Sequence, residues 1–156
     1  MDISGSYPFN ASPDRVWDLL MDPAVLSSCI PGCDRFEPDG PDGPGGPGNN
    51  DRYNVTLTVA LAAITGTYNG TVVLVDKIKG TSYGLVVEGQ GRAGFVKGTS
   101  AIALRADGAT TIVDVAGTVQ TGGPIARVGQ RLIGGVAKMM LDRFFACLQS
   151  KLPRPS

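Results

Sequence analysis

The 156-residue sequence predicts a single α+β domain in which a curved antiparallel sheet packs against one long C-terminal helix. Three observations predict it: two helix-start signals near the N terminus, alternating strands between Arg52 and Gln120, and a wide apolar stripe beyond Gly123. The length is typical of one domain with a substantial core. We therefore expect one domain over residues 1–152 and a short tail at residues 153–156.

Two short helices are predicted directly after a first strand that ends near Phe9. Ser12 can cap free N–H groups and is followed by a proline, which suits the first helical position. Asp22 and the proline after it repeat this signal and open a second helix. We expect that helix to end at Pro31-Gly32, because proline and glycine are both typical of helix ends.

The segment at residues 38–50 contains only proline, glycine, aspartate and asparagine, which predicts a flexible loop between two strands. From there to residue 120, apolar and polar side chains alternate with period two, which predicts about five antiparallel strands with one apolar face. The breaks between these strands are predicted at Thr65-Gly66, Lys79-Gly80, residues 89–94 and Asp107-Gly108.

The long C-terminal helix is predicted to open at Gly123-Pro124 and to end at Leu152-Pro153. Gly134-Gly135 interrupts it at a cost of about 1 kcal/mol per glycine relative to alanine. Met139 and Met140 follow, and methionine adapts to irregular space. Two alternatives stay open: an incompletely filled cavity between helix and sheet, or close helix–sheet contact at the glycines with methionine as ordinary filler.

Three cysteines raise the question of a redox pair or a metal site. Cys29 and Cys33 are one residue further apart than the C-x-x-C redox motif, and Cys147 lies far along the chain. We expect Cys29 and Cys33 to be incidental thiols in a turn, and all three cysteines to be free, in a cytoplasmic protein whose N terminus has no signal-peptide pattern. Three cysteines cannot complete a four-cysteine zinc site, so we expect no metal and no cofactor.

The chain has no histidine, and its formal net charge is zero. The missing histidine excludes hydrolases that depend on a Ser-His or Cys-His pair. The balanced charge gives no electrostatic reason to expect nucleic acid. Residues 89–94 match G-x-G-x-x-G, but a predicted strand follows where a dinucleotide site needs a helix, so we expect a hairpin.

The remaining titratable side chains give no catalytic set. Glu88 and Asp114 are predicted on the outer face of the sheet, while Asp76 falls near a strand end where it could reach solvent. Tyr68 and Tyr83 are predicted to face inward. Each could offer a hydroxyl to a ligand or form a hydrogen bond with the backbone.

Several segments resemble the CoxG family of carbon monoxide dehydrogenase subunits, which belongs to the START-like, helix-grip (SRPBCC) superfamily. They are Val16-Trp17, Asp22-Pro23, Leu26 followed by Cys29-Ile30-Pro31-Gly32-Cys33, Gly94-Phe95-Val96-Lys97-Gly98, and the run from Gly129 to Phe145. The resemblance spans almost the whole chain, and Ile30-Pro31-Gly32-Cys33 is its most specific part. It implies a helix-grip fold with an apolar cavity between the sheet and the long helix. Cys29 is outside the signature, so no functional cysteine pair is implied.

The resemblance implies a non-enzymatic protein associated with the maturation or membrane recruitment of a molybdenum-containing carbon monoxide dehydrogenase or related hydroxylase. We expect the cavity to bind a hydrophobic small molecule such as a quinone or an acyl lipid. Family members often carry a C-terminal tail that associates with the membrane. This sequence stops at Ser156, so we expect no such anchor, although peripheral contact with the inner membrane face stays open.

The predicted cavity lining consists of inward-facing side chains from the helices and the sheet. These are Trp17, Leu20, Ile30, Val59, Tyr68, Val72, Tyr83, Val87, Ile102, Val115, Leu132, Val136, Met139 and Met140. Two alternatives to a carrier stay open. One is an interaction module with a vestigial cavity, which binds the enzyme through its outer surface. The other is a START-like cyclase or isomerase, which needs a polar group inside the cavity.

Overall fold

A computed structural model describes residues 2–38, 51–60 and 65–152 and confirms the predicted fold class. The loop expected at residues 38–50, apart from Pro38, and the tail expected at residues 153–156 lie outside the described residues. In chain order the elements are β1 (Asp2–Phe9), α1 (Pro13–Leu20), α2 (Pro23–Cys29), β2 (Cys33–Pro38), β3 (Asp51–Val59), β4 (Gly66–Ile78), β5 (Ser82–Gly91), β6 (Gly94–Asp107), β7 (Thr110–Gly122), a 3-10 helix (Gly123–Val128) and α3 (Gln130–Ser150).

The seven described strands form one antiparallel sheet in the order β1-β7-β6-β5-β4-β3-β2. Sequence pattern predicted the first strand and the five strands β3 to β7, but it missed β2. The segment between β5 and β6 is a hairpin, as expected, because Gly91 and Gly94 pair directly across it. The register shifts in β2 opposite β3 and between Val75 and Ile78 in β4, and such irregularities bend a sheet.

The two N-terminal helices begin as the sequence predicts. Ser12 caps α1 by accepting a hydrogen bond from the Arg15 N–H (3.4 Å), and Asp22 caps α2 by accepting one from the Ala24 N–H (3.0 Å). The prediction for the final helix is wrong at its start. Gly129 has a φ of 101° and separates the 3-10 helix from α3, because that conformation cannot continue a helix.

The C-terminal half of α3 is held firmly against the sheet edge and α2. Phe145 and Leu148 are fully buried, and the Phe145 ring stacks on the Tyr7 ring of β1 with centroids 4.2 Å apart. The Tyr7 hydroxyl donates a hydrogen bond to the Asp142 carboxylate (2.7 Å). The Lys138 ammonium donates to the Tyr7 oxygen and pairs with Asp142 at 3.0 Å. These contacts fix one end of the helix.

A disulfide adds a covalent connection to that anchor. Cys29, at the end of α2, is bonded to Cys147 of α3, with their Cα atoms 5.4 Å apart and a separation of 118 in sequence. The expectation of free thiols is therefore wrong for both residues, since the fold brings together cysteines that are distant in sequence. Cys33 is the free, partly buried cysteine, and burial raises the pKa of its thiol.

We predict that Cys29→Ser lowers the free energy of unfolding by about 2–4 kcal/mol, because the disulfide restricts the unfolded chain over a long loop. Denaturant unfolding with and without a dithiol reductant measures this. Reductant should destabilise the wild type and leave Cys29→Ser unchanged, while the control Cys33→Ser should behave like the wild type. Three reactive thiols in the oxidised, unfolded protein would contradict the assignment.

Candidate functional site

The candidate site is the space between the inner face of the sheet and α3. Within the described residues, the α3 backbone approaches β1, α2 and the 3-10 helix, whereas β2 to β7 make at most marginal backbone contacts with it. Val72 and Leu85 on the inner face are only partly buried, and Val87 is 36% exposed. The middle of the inner face therefore keeps some exposed apolar surface.

Glycines occupy inward positions on four neighbouring strands. They are Gly70 of β4, Gly89 of β5, Gly98 of β6 and Gly117 of β7, and Gly70 lies directly opposite Gly89. A Cβ atom on Gly70 would overlap the Glu88 carbonyl oxygen, and one on Gly117 would lie 2.6 Å from the Thr99 carbonyl oxygen. At Gly89 a Cβ atom would meet nothing within 4 Å. The glycines permit close strand approach and remove side chains from the floor of the space.

The predicted lining residues fall into two groups in the structure. The larger core cluster contains Trp17, Leu20, Tyr83, Ile102 and Val115, with Val72 packed against it. A smaller cluster around Ile125 and Ile133 includes Val59, Tyr68 and Val136. Neither cluster includes the remaining five, Ile30, Val87, Leu132, Met139 and Met140.

Leu132 does not join the other predicted lining residues. It is 42% exposed, whereas the next residue, Ile133, is buried against Ile125. Successive residues on a helix point about 100° apart, so only one of the two can face the core. The sequence analysis predicted Leu132 as a lining residue and so missed this distinction. It also missed the inward glycines, although each lies an even number of residues from an inward-facing apolar side chain on the same strand.

The polar side-chain atoms of the candidate site belong to Trp17, Tyr83 and Tyr68. Trp17 of α1 and Tyr83 of β5 pack edge-to-face, with ring centroids 5.6 Å apart and an interplanar angle of 89°. Burial raises the pKa of Tyr83 far above its ordinary value, so its hydroxyl is protonated at any physiological pH. Burial also raises the pKa of Tyr68, which lies in the smaller cluster. Both groups are neutral hydrogen-bonding groups, not bases.

Glu88 and Asp114 lie on the outer face of the sheet, as the sequence analysis predicted. Asp114 accepts hydrogen bonds from Arg105 (2.8 Å) and Ser6 (2.6 Å), which hold its pKa below the usual range. Glu88 is exposed. Asp76 is also exposed, and its φ of 52° lies at the irregularity in β4.

Two shallow depressions lie on the outer face of the sheet. One of about 340 Å³ is lined mainly by small side chains of β1, β6 and β7, beside Asp114. The other, of about 190 Å³, lies among polar side chains of β3 to β6. Among the described residues, neither shows an unpaired buried polar group that would mark a binding site. The same residues hold no cluster of metal-ligating side chains, and none of their helices is long and apolar enough to cross a membrane.

Comparisons with known proteins agree with this architecture. The sequence profile of CoxG, a carbon monoxide dehydrogenase subunit, matches residues 5–153. No curated protein sequence matches the chain. Among solved structures, a conserved protein from Geobacillus kaustophilus is similar, with 32% identity, a TM-score of 0.86, and coverage of 97% of this chain and 94% of that one.

Two more distant structures share the fold alone. A START superfamily protein from Mycobacterium smegmatis has 10% identity and a TM-score of 0.70, covering 96% of this chain and 95% of that one. The di-domain ARO/CYC StfQ from the steffimycin biosynthetic pathway has 11% identity and a TM-score of 0.73, covering 96% of this chain and 50% of that one. The chain thus has a START-like fold.

We predict losses of stability of different size when Gly70 and Gly89, which pair across β4 and β5, are each replaced by alanine. Gly70→Ala should lower the free energy of unfolding by about 1–3 kcal/mol, because its methyl group would overlap the backbone of β5. Gly89→Ala, the matched control, should change it by less than about 1 kcal/mol, since the space there is open. Denaturant unfolding measures both. Equal losses would show that the floor is closed at Gly89 as well.

Proposed function

Because the chain belongs to the CoxG family of carbon monoxide dehydrogenase subunits, we propose that it is a non-enzymatic carrier of a hydrophobic small molecule, such as a quinone or an acyl lipid. In this proposal it serves a molybdenum-containing carbon monoxide dehydrogenase or a related hydroxylase, in the maturation or membrane recruitment of that enzyme. The family and the START-like fold support a ligand-binding or accessory role; the ligand and the partner are our proposal.

One observation carries the proposal: the inner face of the sheet is apolar, has glycines on four neighbouring strands, and leaves Val72, Leu85 and Val87 partly exposed. Burial of apolar surface contributes about 25 cal/mol per Å², or about 0.8 kcal/mol per buried methylene. A ten-carbon chain would thus gain about 8 kcal/mol before the cost of ordering it is subtracted. Such a ligand needs no charged anchor.

We place this role in the cytoplasm, at the inner face of the membrane, where an apolar ligand can be taken up. The Cys29–Cys147 disulfide is unusual for a protein of a reducing compartment. Alkylation of thiols in intact cells, followed by mass determination, tests the location. Three alkylated cysteines would indicate the reduced form, which agrees with a cytoplasmic location. One alkylated cysteine would indicate that the disulfide is present in cells, which disagrees with it.

A second candidate function is an interaction module that binds the enzyme through its outer surface. Two large apolar side chains favour it, since Ile78 is 60% exposed and Phe95 is 38% exposed, each near a strand end. Exposed apolar side chains of this kind are common at protein interfaces. A cyclase or isomerase would have to use the neutral hydroxyls of Tyr68 and Tyr83, and no observation favours it.

We predict that Val136→Trp abolishes ligand uptake and leaves the protein folded. Val136 packs against the smaller cluster on the side of α3 that faces the sheet, so a larger side chain would fill the space. Ala146→Trp is the matched control, because Ala146 is exposed on the same helix. Native mass spectrometry after solvent extraction, with quinones and lipids offered to the apo protein, measures uptake.

The two candidate functions give different results in this experiment. Loss of uptake together with loss of enzyme recruitment supports the carrier. Unchanged uptake by Val136→Trp would refute the placement of the ligand. Recruitment of the hydroxylase that survives the blocked cavity would favour the interaction module, and the Ile78→Ser and Phe95→Ser variants would then be expected to reduce it.

A further inference from the structure

The buried aromatic pair of Trp17 and Tyr83 has an unusual hydrogen-bonding state. Each side chain is 6% exposed, and the two pack edge-to-face between α1 and the sheet. Neither the Trp17 indole N–H nor the Tyr83 hydroxyl forms a hydrogen bond with any residue that the structure describes, yet neither polar atom is sealed inside the protein. By contrast, the buried Thr111 hydroxyl donates to the Ala11 carbonyl oxygen at 2.7 Å.

This arrangement leaves two hydrogen-bond donors without a protein partner in the described part of the chain, on side chains that are otherwise almost fully buried. In the empty protein, water can supply these hydrogen bonds, and an acceptor on a ligand can replace that water. Because both atoms border accessible space, a bound molecule can reach them and supply the missing partner.

The location of the pair connects it with the proposed ligand space. Tyr83 faces inward on β5 together with Leu85 and Val87, and Val87 marks where the inner face opens. Trp17 lies on the buried face of α1. Both side chains therefore lie in the layer between the helices and the sheet. Tyr83 is near the start of β5, whereas Gly89 is near the other end of that strand.

The chemistry of the two groups restricts what can bind. An indole N–H only donates a hydrogen bond, so its partner must be an acceptor such as a carbonyl oxygen. The surrounding cluster is apolar and includes Leu20, Ile102 and Val115. Transfer of a carboxylate from water into this apolar cluster is far more costly than transfer of a carbonyl group.

We propose that Trp17 and Tyr83 form the head-group subsite of the cavity, where their N–H and O–H donate hydrogen bonds to a neutral carbonyl oxygen. The apolar tail of the same ligand extends along the glycine floor towards Val136 and Ile133. This inference rests on the proposed carrier function. It adds the orientation of the ligand in the cavity and a binding preference of the protein for ketones, esters and quinones over free fatty acids.

The test compares two probes that share a ten-carbon tail, decylbenzoquinone and decylbenzene. Trp17 is the single tryptophan of the chain, so its fluorescence reports directly on a quinone placed beside it. Decylbenzene binding is measured by its displacement of the quinone. Tyr83→Phe removes one donor and keeps the ring, and Tyr7→Phe is the control because the Tyr7 hydroxyl binds Asp142 outside the cavity.

We expect decylbenzoquinone to quench Trp17 and to bind the wild type more tightly than decylbenzene. Tyr83→Phe should weaken quinone binding about fivefold, the usual effect of one neutral hydrogen bond, and leave decylbenzene binding unchanged. Tyr7→Phe should not alter the preference between the probes. The apo form of Tyr83→Phe should be about as stable as the wild type, because the hydroxyl has no hydrogen-bond partner among the described residues to lose.

Other outcomes overturn the inference. If Tyr83→Phe weakens the binding of both probes equally, the hydroxyl acts through packing and not through a hydrogen bond to the head group. If it weakens the binding of neither probe, the two donors stay bound to water in the complex or the head group lies elsewhere. Binding of both probes with equal affinity in the wild type would refute the subsite and leave the carrier function intact. Failure of the wild type to bind either probe would refute both. Should Tyr83→Phe not fold, Trp17→Phe with probe binding followed by equilibrium dialysis makes the same comparison.

Discussion

The structure depends on an unequal attachment of α3. Its C-terminal half is fixed by the buried Phe145 and Leu148, by the stack on Tyr7 and by the disulfide to α2. Its N-terminal half carries Gly134-Gly135 and contacts the small cluster around Ile125, without close backbone contact to the central strands. The two halves of the helix therefore differ in how they are attached to the rest of the fold.

The sheet contributes the complementary half of this arrangement. A side chain at Gly70 or Gly117 would collide with the neighbouring strand, so glycine is required there by the close approach of the backbone. Gly89 meets no such obstacle, and its missing side chain simply leaves room. Close strand approach and open space thus come from the same residue type at neighbouring positions, for two different physical reasons.

The features that sequence predicted correctly are those encoded locally. Caps at Ser12 and Asp22 and the hairpin near Gly91 depend on residues a few positions apart. The pairing of Cys29 with Cys147 depends on how α2 meets α3, which no local pattern specifies. Likewise, a wide apolar stripe could not show that Ile133 faces the core while Leu132 faces solvent, and the unpaired donors of Trp17 and Tyr83 became visible only with their neighbours in place.

The disulfide also changes the topology of the molecule. By joining Cys29 to Cys147 it turns the chain into a covalent ring that contains β2 to β7, with β1, α1 and most of α2 on the arm that precedes it. A mechanical force applied to the two ends would unravel β1, α1 and α2 and then stop, because the rest lies inside the ring. In the oxidised protein, most of the sheet is thus shielded from tension.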